Sequence, residues 1–332
     1  MIYVLESRAA NTIQDLGRPG HMDIGVGKSG AMDELALIMA NLLVGNIPGA
    51  AGIEIAMAPF RARIKRDAII AITGADFSPT LDGRALPLWS ACFVRAGQKL
   101  ELRKPPRAGA RSYLAIDGGI EVPSILGSRS TDLKGGFGGM RGRGLQAGDR
   151  IPARPNSFLP SARESVAPEL AIPAYGEDQE LKDFSAGKAV TVRVLPAAEY
   201  AWLDEESLEA FLDSDWLVTA DSNRLGYRLS GPTLSTNQQR KELMSHALAL
   251  GVIQLPPGGQ PIVQLKEGNT SGGYPKLGVV IRADMRVLAQ VPLGGRLRFA
   301  PVTRDEAIAA LQRERKRVDA CWDQIEAGRR LL

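Results

Sequence analysis

The chain has 332 residues, 44% hydrophobic and 23% charged, a composition that excludes a disordered or fibrous protein and leaves room for two domains with buried cores. Its net charge of +4 is spread along the sequence with no aromatic-basic platform, which argues against a nucleic-acid partner. Cys92 and Cys321 lie far apart and join no Cys/His cluster, so both read as buried thiols, with neither a disulfide framework nor a metal site expected.

The N-terminal stretch carries Glu6, Arg8 and Asp15 where a secretory segment needs an apolar run. The most apolar region, Leu35–Phe60, is interrupted by Asn41, Asn46, Pro48 and Glu54, so it reads as helix, loop and strand instead of a membrane span. A cytoplasmic protein with no membrane partner is expected. Gly25-Val26-Gly27-Lys28-Ser29 invites a phosphate-loop reading, but that motif needs Gly where Met22 stands, and no strand leads into the segment. It reads as a turn whose Ser29-Gly30 end could still face an anion at a helix start.

Ala31–Val44 has Leu35, Ile38, Met39, Leu42 and Leu43 at helical spacing, and Gly45-Asn46 can end it. Short β-like runs follow at Ile53–Met57, Ala68–Thr73, Leu86–Phe93, Lys99–Leu102 and Ser112–Ile116, separated by turn signals such as Asp82-Gly83 and Asp117-Gly118-Gly119. The 36 glycines and 21 prolines lack any collagen period and fit many tight turns, hence many short strands. Leu133–Gly148 reads as a glycine-rich loop, and Asp149–Pro152 as one more strand entry.

Between Ala153 and Gly187 the pattern decays into a proline-punctuated polar stretch, read as a linker. The expected division is a first lobe over 1–155, a linker over 156–188 and a second lobe over 189–332. Val190, Val192 and Val194 alternate as in a half-buried strand, and Tyr200–Phe211 reads as one short helix. Val252–Leu255 and Ile262–Leu265 form the clearest hairpin, and Arg304–Ile325 a terminal helix with a Thr303/Glu306 capping box.

Two polar segments are the candidate working surface. In Asp221–Pro232, Asn223 stands beside two arginines four apart, Arg224 and Arg228. They either present a fork of donors to a carboxylate or phosphate or simply decorate a strand–turn–strand. In Gln264–Lys276, Lys266, Glu267, Asn269, Thr270, Ser271 and Tyr274 surround Gly272-Gly273, either as a polarising site for a carbonyl or as a polar surface loop. The only histidines, His21 and His246, accompany no Gly-x-Ser-x-Gly elbow.

These residues and others resemble the carboxyltransferase-domain family called allophanate hydrolase subunit 2. The matching blocks run from Thr12–Arg18 through Gly30–Asp33, Val44-Gly45-Asn46, Ile72–Asp76, Gly118-Gly119, Leu126–Thr131, Ser222–Pro232, Ile253-Gln254 and Pro256–Pro261 to Gly272–Pro275. The resemblance implies a mainly β fold of two cyclophilin-like barrel lobes with a few helices, beside a companion subunit of related fold. It implies either a C-type subunit of 5-oxoprolinase, opening a lactam with ATP and a third, larger subunit, or transfer of a carboxyl group from carboxybiotin to urea nitrogen. The chain lacks a Met-Lys-Met biotin-attachment site, so no cofactor is expected to be covalently bound; carboxybiotin would come from a partner, and ATP would enter through the complex. The first chemistry is therefore favoured, with a non-catalytic regulatory subunit as the alternative from another class. On this resemblance Asn223, Arg224, Arg228, Gln254, Thr270, Gly272 and Gly273 would bind a small amide or carboxylate substrate. Lys266, Glu267, His246 and Tyr274 would act in catalysis. The chain departs from its relatives at His246, where they carry an acid, and at Glu267-Gly268-Asn269, where the 5-oxoprolinase kind reads Asp-Arg-Gln.

Overall fold

The computed structural model describes residues 1–154, 187–237 and 243–330. Most of the expected linker, 156–186, lies outside them. The described residues fall into two units. One comprises those of Met1–Arg18, Ser29–Asp178 and Arg317–Leu332, the other those of Pro19–Lys28 and Gln179–Lys316. The mainly β character expected from glycine and proline is what the chain has, with few helices. None among the described residues is long and apolar enough to cross a membrane.

The first unit is built on two antiparallel sheets. A six-stranded sheet runs in the order Arg150–Ile151, Ile2–Glu6, Phe60–Ile64, Lys99–Leu102, Thr80–Leu81 and Arg84–Ala85. A five-stranded sheet runs Thr12–Gln14, Gly52–Ile55, Ser112–Ile116, Ala68–Gly74 and Ala91–Val94. Alternate apolar residues of both, among them Ile2, Val4, Phe60, Ile70, Leu100 and Leu114, share one buried cluster. The Glu34–Leu43 helix starts three residues later than its periodicity suggests, because the Asp33 carboxylate accepts the Ala36 N–H at 3.0 Å and caps it. Its apolar residues pack with Ala71, Tyr113 and Ala115 and with Cys321 and Ile325 of the terminal helix. Cys321 is buried as expected, whereas Cys92 is half-buried, and burial pushes the Cys92 thiol up to about 11.

Beneath that helix start lies a buried polar knot. The Tyr113 hydroxyl donates to Glu54 Oε2 at 2.9 Å and accepts the Asp33 N–H at 2.8 Å, while the Met32 N–H donates to the same carboxylate oxygen. Burial, reinforced by Glu54 and Asp33, holds the phenol well above its ordinary value, so it stays a donor. Tyr113→Phe strands the Asp33 N–H in the interior and is expected to cost about 1–3 kcal/mol, read as a lowered denaturation midpoint.

The Leu133–Gly148 loop is irregular, as its composition implies, and is tied down at its end. Both Asp149 oxygens accept from Arg143, at 2.8 and 2.7 Å, and one also accepts the Gln146 N–H. Burial alone would raise the Asp149 carboxyl, but these donors outweigh it and hold the group below its ordinary value. Because the folded value is the lower one, the stabilisation is present above the ordinary carboxylate range near ~3.9 and is lost as pH falls through the folded value. Arg143→Ala is expected to flatten the acid limb of a stability-versus-pH profile in that window.

The second unit is a closed seven-stranded barrel. Its order is Val190–Pro196, Lys276–Val280, Val252–Gln254, Ile262–Gln264, Gly226–Ser230, Trp216–Val218 and Arg296–Pro301. The last strand closes the ring by pairing parallel to the first, Val190 opposite Leu297. Phe211 stacks on Phe299 with centroids 4.8 Å apart, and Trp216 donates its indole N–H to the Phe211 carbonyl. The single helix expected over Tyr200–Phe211 is two pieces, a 3-10 turn Ala198–Trp202 and a helix Glu205–Asp213. Leu203 is extended, and Asp204 caps a new start by accepting the Ser207 N–H. The expected hairpin pairs Ile253 with Val263, and the terminal helix, Arg304–Arg330, opens with the expected capping box: Thr303 N–H to Glu306 at 2.7 Å and Glu306 N–H to Thr303 at 3.3 Å.

Candidate functional site

The two polar segments meet in the second unit because backbone bonds dock one on the other. Between the strands Trp216–Val218 and Gly226–Ser230, the Asn223 side chain accepts the Leu225 N–H at 2.8 Å, forming an Asx turn. Ser222 Oγ accepts the Arg228 N–H and closes the same loop. The Leu225 carbonyl then accepts from Leu265 N–H and the Arg224 carbonyl from Glu267 N–H, at 3.0 and 2.9 Å. Gly268 turns against this junction. A Cβ there would lie 2.7 Å from Gln264 Oε1 and 3.0 Å from the Leu225 carbonyl oxygen, so a side chain would press on both.

Of the two alternatives left open for the arginine pair, the structure gives its members different settings. Arg224 is buried and its Nε donates to Glu267 Oε1 at 2.5 Å, whereas Arg228 is exposed on its strand, next to the inward Tyr227. Glu267, also buried, has its charge met by that guanidinium, a poor setting for an acid or base that must exchange protons with substrate. Lys266 is buried beside it. His246 and Tyr274 sit in the opposite setting, both exposed, with His246 Nδ1 2.7 Å from the Met244 carbonyl. The four expected catalytic side chains thus split into a buried pair and an exposed pair.

A two-stranded ribbon carries the rest. His246 pairs with Gly272 and Ala247 with Ser271, while the Leu248 N–H donates to the carbonyl of half-buried Thr270 at 3.0 Å. Gly272 brings the ribbon against Gln254, for a Cβ on it would stand 3.0 Å from Gln254 Nε2 and 3.0 Å from Leu248 Cδ1. Gly273 approaches the Leu243 carbonyl so closely that a Cβ would lie 2.5 Å from it.

Gln254 is the most informative group. It is buried on the barrel strand Val252–Gln254, and its Oε1 accepts from Gln264 Nε2 at 2.8 Å. With Oε1 engaged by Gln264, the NH2 end of the amide faces Gly272. Among the described residues this buried Nε2 has no acceptor. Gln264 was missed by sequence reasoning as a site residue. Its signal was a second glutamine in an otherwise apolar strand across the same hairpin.

Of the turn Gly25–Ser29, all but Ser29 belongs to this unit. After the 3-10 turn Met22–Ile24, Gly27 rests on the Lys266–Gly268 backbone, with 3.6 Å from its Cβ position to the Gly268 oxygen. In the first unit, the anion reading of Ser29-Gly30 gives way to packing. Ser29 Oγ donates to Asp132, and a Cβ on Gly30 would stand 2.8 Å from the Leu16-Gly17 backbone. No group of three or more His, Cys, Asp or Glu side chains among the described residues is placed to share a metal ion.

Residues 24–301 match the carboxyltransferase domain family, subdomain A and B. The chain is 40% identical over 316 residues to the C subunit of Escherichia coli 5-oxoprolinase, covering 95% of this chain and 96% of that protein. It is 37% identical to the C subunit of Haemophilus influenzae 5-oxoprolinase, covering 95% of each. Among solved structures, the K. lactis urea amidolyase superposes with a TM-score of 0.82 at 27% identity, over 96% of this chain and 20% of that far longer one.

Proposed function

Since this chain belongs to the carboxyltransferase domain family, subdomain A and B, we propose that it is the C-type subunit of a 5-oxoprolinase-like hydrolase that works with companion subunits. In this reading water adds to the lactam carbonyl carbon of 5-oxoproline, the ring C–N bond breaks, and the nitrogen leaves as the amine of glutamate. A larger companion supplies ATP-dependent activation, and a second, related subunit pairs with this one. The observation that carries the reading here is the oriented, acceptor-free NH2 of Gln254. A carbonyl oxygen that gains negative charge in the transition state is the acceptor such a donor stabilises most. The names of relatives covered almost end to end support the substrate.

Arg224 and Glu267 support the loop in this scheme instead of touching substrate, and proton transfer falls to the exposed His246 or Tyr274. The test is co-expression with the companion subunits and ATP-dependent formation of glutamate from 5-oxoproline. A well-folded assembly that produces none would remove this substrate. The fold shared with urea amidolyase favours one other reading, carboxyl transfer from a partner's carboxybiotin. That reading predicts turnover of urea or a related amide that avidin abolishes, whereas lactam hydrolysis is indifferent to avidin.

A further inference from the structure

The first unit contains a cavity of about 300 Å³ that takes no part in the site above. It forms where three of the sequence blocks that carried the family resemblance come together: Gly45-Asn46 after the helix, Gly118-Gly119, and Arg129. Ile47, Ala50, Ala51 and Ile120 supply its apolar lining, and Glu121 and Arg154 complete it. The left-handed Gly119 (φ +76°) keeps its wall open, since a Cβ there would stand 3.3 Å from the Ala50 Cβ.

Charge in the cavity is unbalanced. Arg154 Nε donates to Glu121 Oε1 at 2.6 Å, and Glu121 feels the charge of Arg129 as well, so two cations share one carboxylate. Arg129 is held by its backbone, whose N–H donates to Asp15 at 2.6 Å and whose carbonyl accepts the Gly139 N–H at 3.1 Å. Its guanidinium makes no hydrogen bond among the described residues, and its Nε is buried without an acceptor. A buried N–H left without an acceptor is costly, and no neighbour among the described residues offsets that cost at Nε of the otherwise half-buried Arg129. A ligand in the adjoining cavity would.

We propose that this cavity binds a small organic monocarboxylate, with the carboxylate on the Arg129 guanidinium and a short apolar body against Ile47, Ala50 and Ile120. A planar guanidinium matches a carboxylate in two-point geometry. The lining, with Arg129 and Arg154 against Glu121, carries one net positive charge, which calls for a monoanion, and the apolar lining disfavours bare phosphate. The volume sits at the small end of ligand pockets, roughly 300–1,000 Å³, so the body is only a few carbons long.

Butyrate, its neutral counterpart butyramide and inorganic phosphate are the probes, titrated into the full-length chain. The readout is the Arg129 Nε–H resonance, identified by its loss in Arg129→Lys. Butyrate is expected to shift it saturably and butyramide to leave it in place. Arg129→Gln is expected to weaken butyrate binding, followed at the Gly118 and Gly119 amides, by at least about tenfold. Ala50→Leu fills part of the cavity and is expected to abolish binding with Arg129 intact, which separates occupancy from any folding defect at Arg129. The proposal is overturned if butyrate produces no saturable shift, if butyramide matches it, or if phosphate binds more tightly than butyrate.

Discussion

Glu267→Ala is expected to destabilise the second unit by about 3–5 kcal/mol, the usual cost of breaking a buried ion pair from one side. The pair is well enclosed, with side chains 8% and 2% exposed for Arg224 and Glu267 and a 2.5 Å bond between them. It is also doubled by the backbone, since the Glu267 N–H donates to the Arg224 carbonyl. Arg224→Ala strands a carboxylate in the same interior and should cost a similar amount. The double variant should cost clearly less than the two together, the coupling expected of contacting charges. Denaturant midpoints of the four proteins decide it. If Glu267→Ala barely moves the midpoint while Arg224→Ala removes turnover from a stable protein, Arg224 is a substrate contact and the supporting role given to it fails.

Gln254→Glu is expected to lower lactam turnover by about 10²- to 10³-fold, the loss typical of removing one oxyanion donor. The substitution is nearly isosteric and keeps an oxygen for Gln264 Nε2 to donate to, so the hairpin bond survives. What changes is the group facing Gly272, which turns from a donor into an acceptor that repels a carbonyl oxygen. The effect should fall on kcat more than on KM, because the donor matters most when the oxygen carries charge. Equal kcat/KM for wild type and variant in the assembled complex would show that this amide never meets the reacting carbonyl.

Legibility of the sequence divides along the range of the interaction concerned. The hairpin at 252–264 and the capping box at Thr303 were readable because neighbours a few residues apart determine them. The break at Leu203–Asp204 was hidden, since the apolar spacing runs on through it and only the cap geometry interrupts the helix. The short strands Ile2–Glu6 and Phe60–Ile64 carry charged residues among apolar ones and gained their identity from each other across the sheet. At the site the limit is sharper. Arg224 reads as a solvent-facing donor until Glu267, 43 positions on, is placed beside it. Gln254 and Gln264 read as ordinary polar strand residues until the hairpin register brings their amides together and leaves one NH2 without a partner.

The parallel pairing of Val190–Pro196 with Arg296–Pro301 also governs how the second unit is made. The ribosome delivers the first barrel strand roughly a hundred residues before the strand that closes the ring, and such distant pairing is slow to form. Through that interval one edge of the nascent sheet stays open, a template for the wrong strand. Truncation anywhere before Arg296 therefore removes more than a tail: it leaves a barrel that never shuts.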